Sequence, residues 1–435
     1  MKQIQSITLF FGLAATLMTA SCSKEYVNPN AASDVSVLGS PKGLMGVAVG
    51  VQRTYALTIH PSMISAVGLT AGETFVLNIG NASEANLAAG GASVDGNNGL
   101  LGSIWISNCK AIYDANTVLA GAQNLPDAGY RSGLIGYASI FKALAIGNLS
   151  MLWENIPDTI GAPVSSPTLF IPRATGYARA VAAIDRALAA INASPISTQF
   201  NSDLPAGVDI VNTLQALKAR YNLYAGNIAG ALAAANAVDL TKSSVMNYEA
   251  LNPNPVFINV TSSNNVYAPI DSTLGLPVGI RPDLTDARIP FYTSIATSGT
   301  PRFRLNGFWN SSTRSIPIYF PDEVRLMRAE CLLRQTTPDA AAAKSILDVV
   351  LRQTSATDPL GLGANIAAGY TGATDAASLL TEVYRNRCIE MFLSSNKLED
   401  MRRFGRANSE MKRRNMPYPF RERDNNSNTP ADPSF

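Results

Sequence analysis

His60 is the only histidine in the chain, so Ser-His-Asp or Cys-His catalysis would rest on it alone. A zinc site built from several imidazoles is excluded. Pro61 follows it in a stretch containing Ser and Thr, which reads as an ordinary surface or loop position. No Walker loop, no GxSxG and no GxGxxG in a strand context is present. Asp95-Gly96-Asn97-Asn98-Gly99 resembles the start of a calcium loop but lacks an acid at the twelfth position, and reads as an Asn/Gly turn. Paired carboxylates for bond hydrolysis need only meet in space, and nothing in the sequence points to such a pair. Catalytic residues, metal ligands and cofactors are therefore not expected. The residue types present suit recognition instead. Trp309 and Phe308 adjoin Asn306 and Asn310, a stacking surface flanked by amide donors and acceptors. Phe75, Asn78 and Asn81, with Glu73 nearby, repeat the set. Trp105 opens a helix, where it is either rim or core, and Trp153, before Pro157, reads as core.

The N-terminus carries different chemistry. Met1 and Lys2 make a short positive start, Ile7 to Met18 is an uncharged apolar run, and Thr19, Ala20 and Ser21 precede Cys22. This order is that of a secretory signal. The run is about 12 residues, against about 20 needed to span a bilayer, so residues 1–21 are expected to be removed. A Cys after small residues resembles the bacterial lipobox, with Thr19 where Leu is usual, so Cys22 is the expected lipid attachment site. Residues 22–40 would be the tether and 41–435 a single domain, joined to a membrane through the lipid anchor only. No apolar stretch after Met18 is read as long enough to span. Lys and Arg number 34 against 32 Asp and Glu, which leaves no bulk charge for nucleic acid. Of the remaining thiols, Cys109, Cys331 and Cys388 are odd in number, and the last two read as buried and free. The basic cluster Arg402, Arg403, Arg406, Lys412, Arg413, Arg414, Arg421 and Arg423 is interleaved with Glu399, Asp400, Glu410, Glu422 and Asp424, and reads as an ion-paired packing seam.

The elements that must hold these residues are helices. Ala180, Ala183, Ala187 and Ala190 form a small stripe beside the large one of Val181, Ile184, Leu188 and Ile191. Leu214, Leu217, Tyr221 and Tyr224 repeat the spacing, Gly226-Asn227 breaks it, and an alanine-rich helix follows. That unit resembles a tetratricopeptide helix pair. Pairs are expected at 103–123 with 130–154, 175–192 with the Leu214 helix, 216–224 with 229–237, and 322–334 with 339–353, followed by a helix over 376–394. Asp322 and Asp339 are expected N-caps. Segments 68–102 and 252–317 lack helical period and are expected to be ligand-bearing loops. The fold class is thus all-α dominated: a tetratricopeptide-like scaffold of about four helix pairs, long irregular loops and few short strands.

Five segments in order resemble one family, the SusD/RagB outer-membrane lipoproteins of Bacteroidetes. Trp105 to Asn116 is similar to its early helix, and Phe141-Lys142-Ala143 through Trp153 to Pro157 to its second. Asp322 to Glu330 resembles E-V-x-L-M-x-A-E. Asn386 to Leu393 with Leu398 to Arg406 resembles E-R-R-x-E-L-x-x-E-G-x-R-x-x-D-L-R-R, with Ser394-Ser395-Asn396-Lys397 in place of E-G-x-R and Asn386 in place of an acid. Pro417 to Arg423 resembles the terminal P-I-P-x-x-E stretch. The resemblance implies a lipoprotein on the outer face of the outer membrane that captures an oligosaccharide, less often a peptide, for a SusC-like TonB-dependent transporter. Sugar C–H faces pack on aromatic rings and sugar hydroxyls need Asn, Asp and Arg partners, which agrees with the residues above. A surface glycoside hydrolase and a repeat scaffold for envelope assembly are the alternatives.

Overall fold

In the computed structural model, residues 37–163, 165–261 and 265–435 are described; the signal run and Cys22 lie outside them. From Leu38 onward the chain forms one unit. Helix α1 (Pro41–Thr54) passes through a π-helical turn, Tyr55–Ile59, into α2 (His60–Thr70). Pro61 has no N–H to continue an α-helical ladder, and the His60 N–H reaches back five residues to the Tyr55 carbonyl. A short α3 (Ala82–Ala89) precedes the long pair α4 (Gly99–Ala122) and α5 (Ala128–Leu152). Then come α6 (Arg173–Ala193), the short α7 (Thr198–Asp203), α8 (Ile210–Tyr224) and α9 (Ile228–Asn236). Two short helices, α10 (Pro255–Thr261) and α11 (Arg288–Tyr292), lie in the second irregular region. The C-terminal part holds α12 (Pro321–Leu333), α13 (Ala340–Arg352), α14 (Ala376–Glu390), α15 (Lys397–Arg403) and α16 (Phe420–Asn425).

Helices pack on their sequence neighbours: α4 on α5, α5 on α6, α6 on α8, α8 on α9, α9 on α12, and α12 on both α13 and α14. The starts are set by side-chain caps. Asn98, Asp127, Asp209, Asn227, Asp339 and Asp375 each accept a backbone N–H from the first turn of the helix that follows. Asp322 is not a cap. Pro321 takes the first helical position and Phe320 the cap position, so Asp322 sits inside α12. The expected stripes are buried: Ala180, Ala183 and Ala187 at 0–3% exposure with Ile184 beside them.

Two further expectations fail here. His60, expected at a surface or loop position, is buried at the start of helix α2. And α5 is long and apolar enough to cross a membrane, although nine-tenths of its apolar stretch is buried inside the protein, where it serves as the central core helix.

Among the described residues the strands are eight short segments in four antiparallel pairs. Thr74–Val76 (β1) pairs with Tyr267–Pro269, and thereby joins the two irregular regions, 68–102 and 252–317. The others are Asn155–Pro157 with Phe170–Pro172, Ser244–Met246 with Ile316–Tyr319, and Thr293–Ile295 with Phe303–Leu305.

Candidate functional site

Trp105 lies one and a half turns into α4 and is buried, packed edge-on against Trp153 at 4.7 Å and Tyr418 at 6.0 Å and stacked on Phe170 at 6.2 Å between ring centres. Its indole N–H donates to Glu422 Oε2 at 3.0 Å. The Trp153 indole donates to the Pro417 carbonyl at 2.8 Å, as fits its reading as core. These bonds pin the C-terminal segment against the start of α4 and the end of α5. The Phe420 N–H donates to the Gly96 carbonyl at 3.0 Å. A methyl group on Gly96 would stand 2.7 Å from the Tyr418 carbonyl oxygen, so the turn must carry glycine to let the two backbones meet. In the same turn Asn97 N–H donates to Asp95 Oδ1 at 2.9 Å and Asn98 caps α4. The Asp95–Gly99 turn is therefore an Asn/Gly turn at a chain crossing.

The crossing leaves a cleft of about 540 Å³ between Gly96–Ser103, Trp105, Ile106 and Pro419–Glu422. That volume suits a small ligand. Trp105 forms its inner wall; Ile106 and Phe420 are 45% and 43% exposed at its mouth. Asn97 and Arg421 are exposed beside them, and the half-buried Glu422 closes one end. An apolar face, an aromatic edge, an amide, a guanidinium and a carboxylate thus converge on one concavity. Glu422 also borders a shallower cleft with Cys109, Thr159, Ile160 and Asn426. Burial and the Glu422 charge push the Cys109 thiol up to about 12, so it stays protonated. A further cleft of about 500 Å³ between α4, α5 and α6 is lined by Leu119, Arg131, Ile135, Arg186 and alanines, without an aromatic ring.

Of the other expected ligand residues, Trp309 and Phe308 are core. They are 2% and 3% exposed, in a short turn whose rings pack on Tyr292, Phe291, Phe320 and Phe392. Their amide neighbours tie the turn down: Asn306 Nδ2 donates to the Pro290 carbonyl at 3.1 Å and Asn310 Nδ2 to Asn306 Oδ1 at 3.1 Å. Glu73 is also buried, 1% exposed, and its Oε1 accepts from the Leu393 N–H at 3.1 Å. Burial pushes Glu73 up to about 7, against the pull of Lys397 and that N–H. Both sets thus meet at Phe392-Leu393, but beneath the surface. Phe75 remains 37% exposed on β1. Asn78 and Asn81 shape the turn after it, with Gly80 N–H on Asn78 Oδ1 and Asn81 Nδ2 on the Asn78 carbonyl, both at 3.0 Å.

His60 is in the core as well, 6% exposed and stacked on Tyr55, and burial lowers its pKa to about 3. It is neutral near pH 7 and out of reach of solvent. Cys331 and Cys388 are buried and free, and Cys109 is free. The basic cluster is an ion-paired seam over much of its length. Arg402 pairs with Glu399, Arg403 with Glu330 and Asp400, Arg406 with Glu410 and Arg423 with Asp432. Arg413 instead donates to the carbonyls of Gly91 and Val94, again binding the C-terminal segment to the first irregular region.

None of the cleft residues Phe420, Ile106, Asn97, Arg421 and Glu422 is read as a ligand residue from sequence: Asn97 reads as part of an Asn/Gly turn, and Arg421 and Glu422 as part of an ion-paired seam. The signal available was an aromatic between Pro419 and Arg421, a position that a packed core does not require.

No family model matches the chain, and no curated protein matches it. Solved structures do. A SusD superfamily protein from Bacteroides thetaiotaomicron VPI-5482 aligns over 91% of this chain and 100% of its own, with TM-score 0.71 and 15% identity. One from Bacteroides vulgatus ATCC 8482 aligns over 91% and 99%, with TM-score 0.69 and 13% identity. A laminarin binding SusD-like protein aligns over 91% and 99%, with TM-score 0.62 and 15% identity. The architecture is the SusD-like fold: tetratricopeptide-like helix pairs carrying irregular regions with few short strands.

Proposed function

We propose that this chain, built on the SusD-like fold, is a capture protein: it holds a carbohydrate chain at the cell surface and passes it to a TonB-dependent outer-membrane transporter. The observation that carries the reading is the cleft at the Trp105–Glu422 crossing. There Ile106, Phe420 and the edge of Trp105 offer apolar contact to the C–H face of a sugar ring. Asn97 and Arg421 line the same cleft for its hydroxyls, beside Glu422, whose two oxygens already accept from Trp105 and Asn426. The likeness to a laminarin binding SusD-like protein supports this class of ligand.

The expected lipid on Cys22 would hold the domain at the outer face of the outer membrane, close to its transporter. Titration calorimetry against a panel of oligosaccharides, laminarin oligosaccharides included, tests the site. Phe420→Ala and Asn97→Ala should each weaken binding by about tenfold, the worth of one stacking ring or one good polar contact, with thermal stability unchanged. If Phe75→Ala abolishes binding while both cleft variants bind normally, the ligand sits on the β1 face and the cleft reading fails.

A further inference from the structure

Three acids far apart in sequence meet where the start of α12, the end of α14 and the loop after α13 converge. Asp322, Asp358 and Glu390 each bring a carboxylate oxygen to within 4.8 Å of the others. They are 1%, 7% and 1% exposed, so water does not screen them. The neighbouring charges do not balance. Arg288 donates through Nε and Nη2 to both oxygens of Asp286, at 3.0 and 2.7 Å, and through Nη1 to Glu390 at 3.1 Å. Arg325 pairs with Asp322. Two guanidiniums thus face four carboxylates, a deficit of two positive charges in a dry site. Asp358 is held in place by the N–H groups of Leu360 and Leu362 and by the Gln353 amide. Asp322 is the exception: its Oδ2 is buried and accepts no hydrogen bond from any described group.

We propose that the three carboxylates bind one divalent cation, of the calcium type. A divalent charge cancels the deficit, whereas a single shared proton leaves half of it. The donor set is all oxygen, which selects against zinc and copper. Calcium takes oxygens at about 2.3–2.6 Å, so two on one ion stand up to about 5 Å apart; magnesium, at about 2.0–2.1 Å, restricts them to about 4 Å. Separations within 4.8 Å lie inside the reach of the larger ion. The cation gives Asp322 Oδ2 its missing partner and clamps α12, α14 and the 353–362 loop together. The groups are also ones that do not hold their charge unaided: burial pushes Asp322 up to about 6 against the pull of Arg325, and burial and the Asp322 charge raise Glu390 well above the usual carboxylate range.

The test is metal content and melting of the full chain at pH 7.5 in CaCl2, in MgCl2 and in EDTA. The expected result is one calcium per chain after desalting. Melting should lie about 5 °C or more higher in calcium than in EDTA, with a smaller gain in magnesium. Asp322→Asn should hold no calcium and melt identically in calcium and EDTA. In EDTA it should melt no lower than the wild type, because it relieves the same repulsion. Asp95→Asn, at the surface turn, should keep the full calcium response. The proposal is overturned if the wild type retains no ion and melts alike in calcium and EDTA, with stability rising instead as the pH is lowered to 5, which would mean that protons occupy the cluster. It is equally overturned if Asp95→Asn removes the calcium response.

Discussion

Trp309 shows why a side chain's company in sequence does not reveal which way it faces. An indole between amides looks like a binding ledge, yet the ring stacks on Tyr292 at 5.6 Å between centres and the amides close the turn around it. Truncation there should act on stability. Trp309→Ala is expected to lower the unfolding free energy by about 3–5 kcal/mol in chemical denaturation; an unchanged midpoint would place the ring in solvent. Glu73 makes a prediction of a different kind. Its folded pKa of about 7 stands above the 4.5 of an ordinary glutamate. Its contribution is therefore complete below about pH 4.5 and is lost as the pH rises through 7. Relative to wild type, Glu73→Gln should gain up to about 3 kcal/mol between pH 4 and pH 8, read from denaturation at both pH values. His60 has the opposite sign: its folded pKa of about 3 lies below 6.5, so the stability of the neutral ring is present above pH 6.5 and lost on acidification toward 3.

The helices that sequence made legible are those with one wet face and one dry face. In α6 Ala180, Ala183, Ala187, Ile184 and Leu188 are buried and Val181, Ala190 and Ile191 half-buried, while Arg179, Asp185 and Arg186 stay outside; in α13 Ala343, Leu347 and Val350 are buried likewise. The Asp339 cap was legible for the same local reason, whereas Asp322, the other expected cap, lies inside α12. By contrast α2 is buried at every position from His60 to Thr70 except the half-buried Ser62. A helix dry all round has no period to detect, and Pro61 disguised it further. The cleft was illegible because its two walls are 317 residues apart, beyond any motif or period. Two substitutions test these elements. Ala187→Leu should cost about 1–3 kcal/mol through overpacking of the α6 stripe, seen as a lower melting temperature; no change would put the stripe in solvent. Gly96→Ala, meeting the Tyr418 carbonyl at 2.7 Å, should loosen the C-terminal segment from α4. Faster proteolysis after Arg421 would report it, and wild-type resistance would count against the close approach.

At the scale of the molecule, anchoring and partnership follow from the proposed role. Cys22→Ala should abolish palmitate labelling and release the protein from the membrane fraction; persistent labelling would remove the anchor. Solubilisation of the outer membrane in mild detergent should co-purify a large β-barrel with the wild-type chain, and recovery of the chain alone would count against the transporter. The crossing of the C-terminal segment over α4 also has a consequence in time. Trp105 is made early, and Glu422, its partner, 317 residues later. At about 5–20 residues per second, a ribosome needs roughly 15–60 s to travel between them. Through that interval Trp105, Trp153 and Phe170 exist without the Pro417 carbonyl, Tyr418 or Glu422 that complete their shell. A growing chain therefore has no cleft, only an unfinished aromatic nest, and the concavity proposed to hold the ligand is completed only with the last few dozen residues.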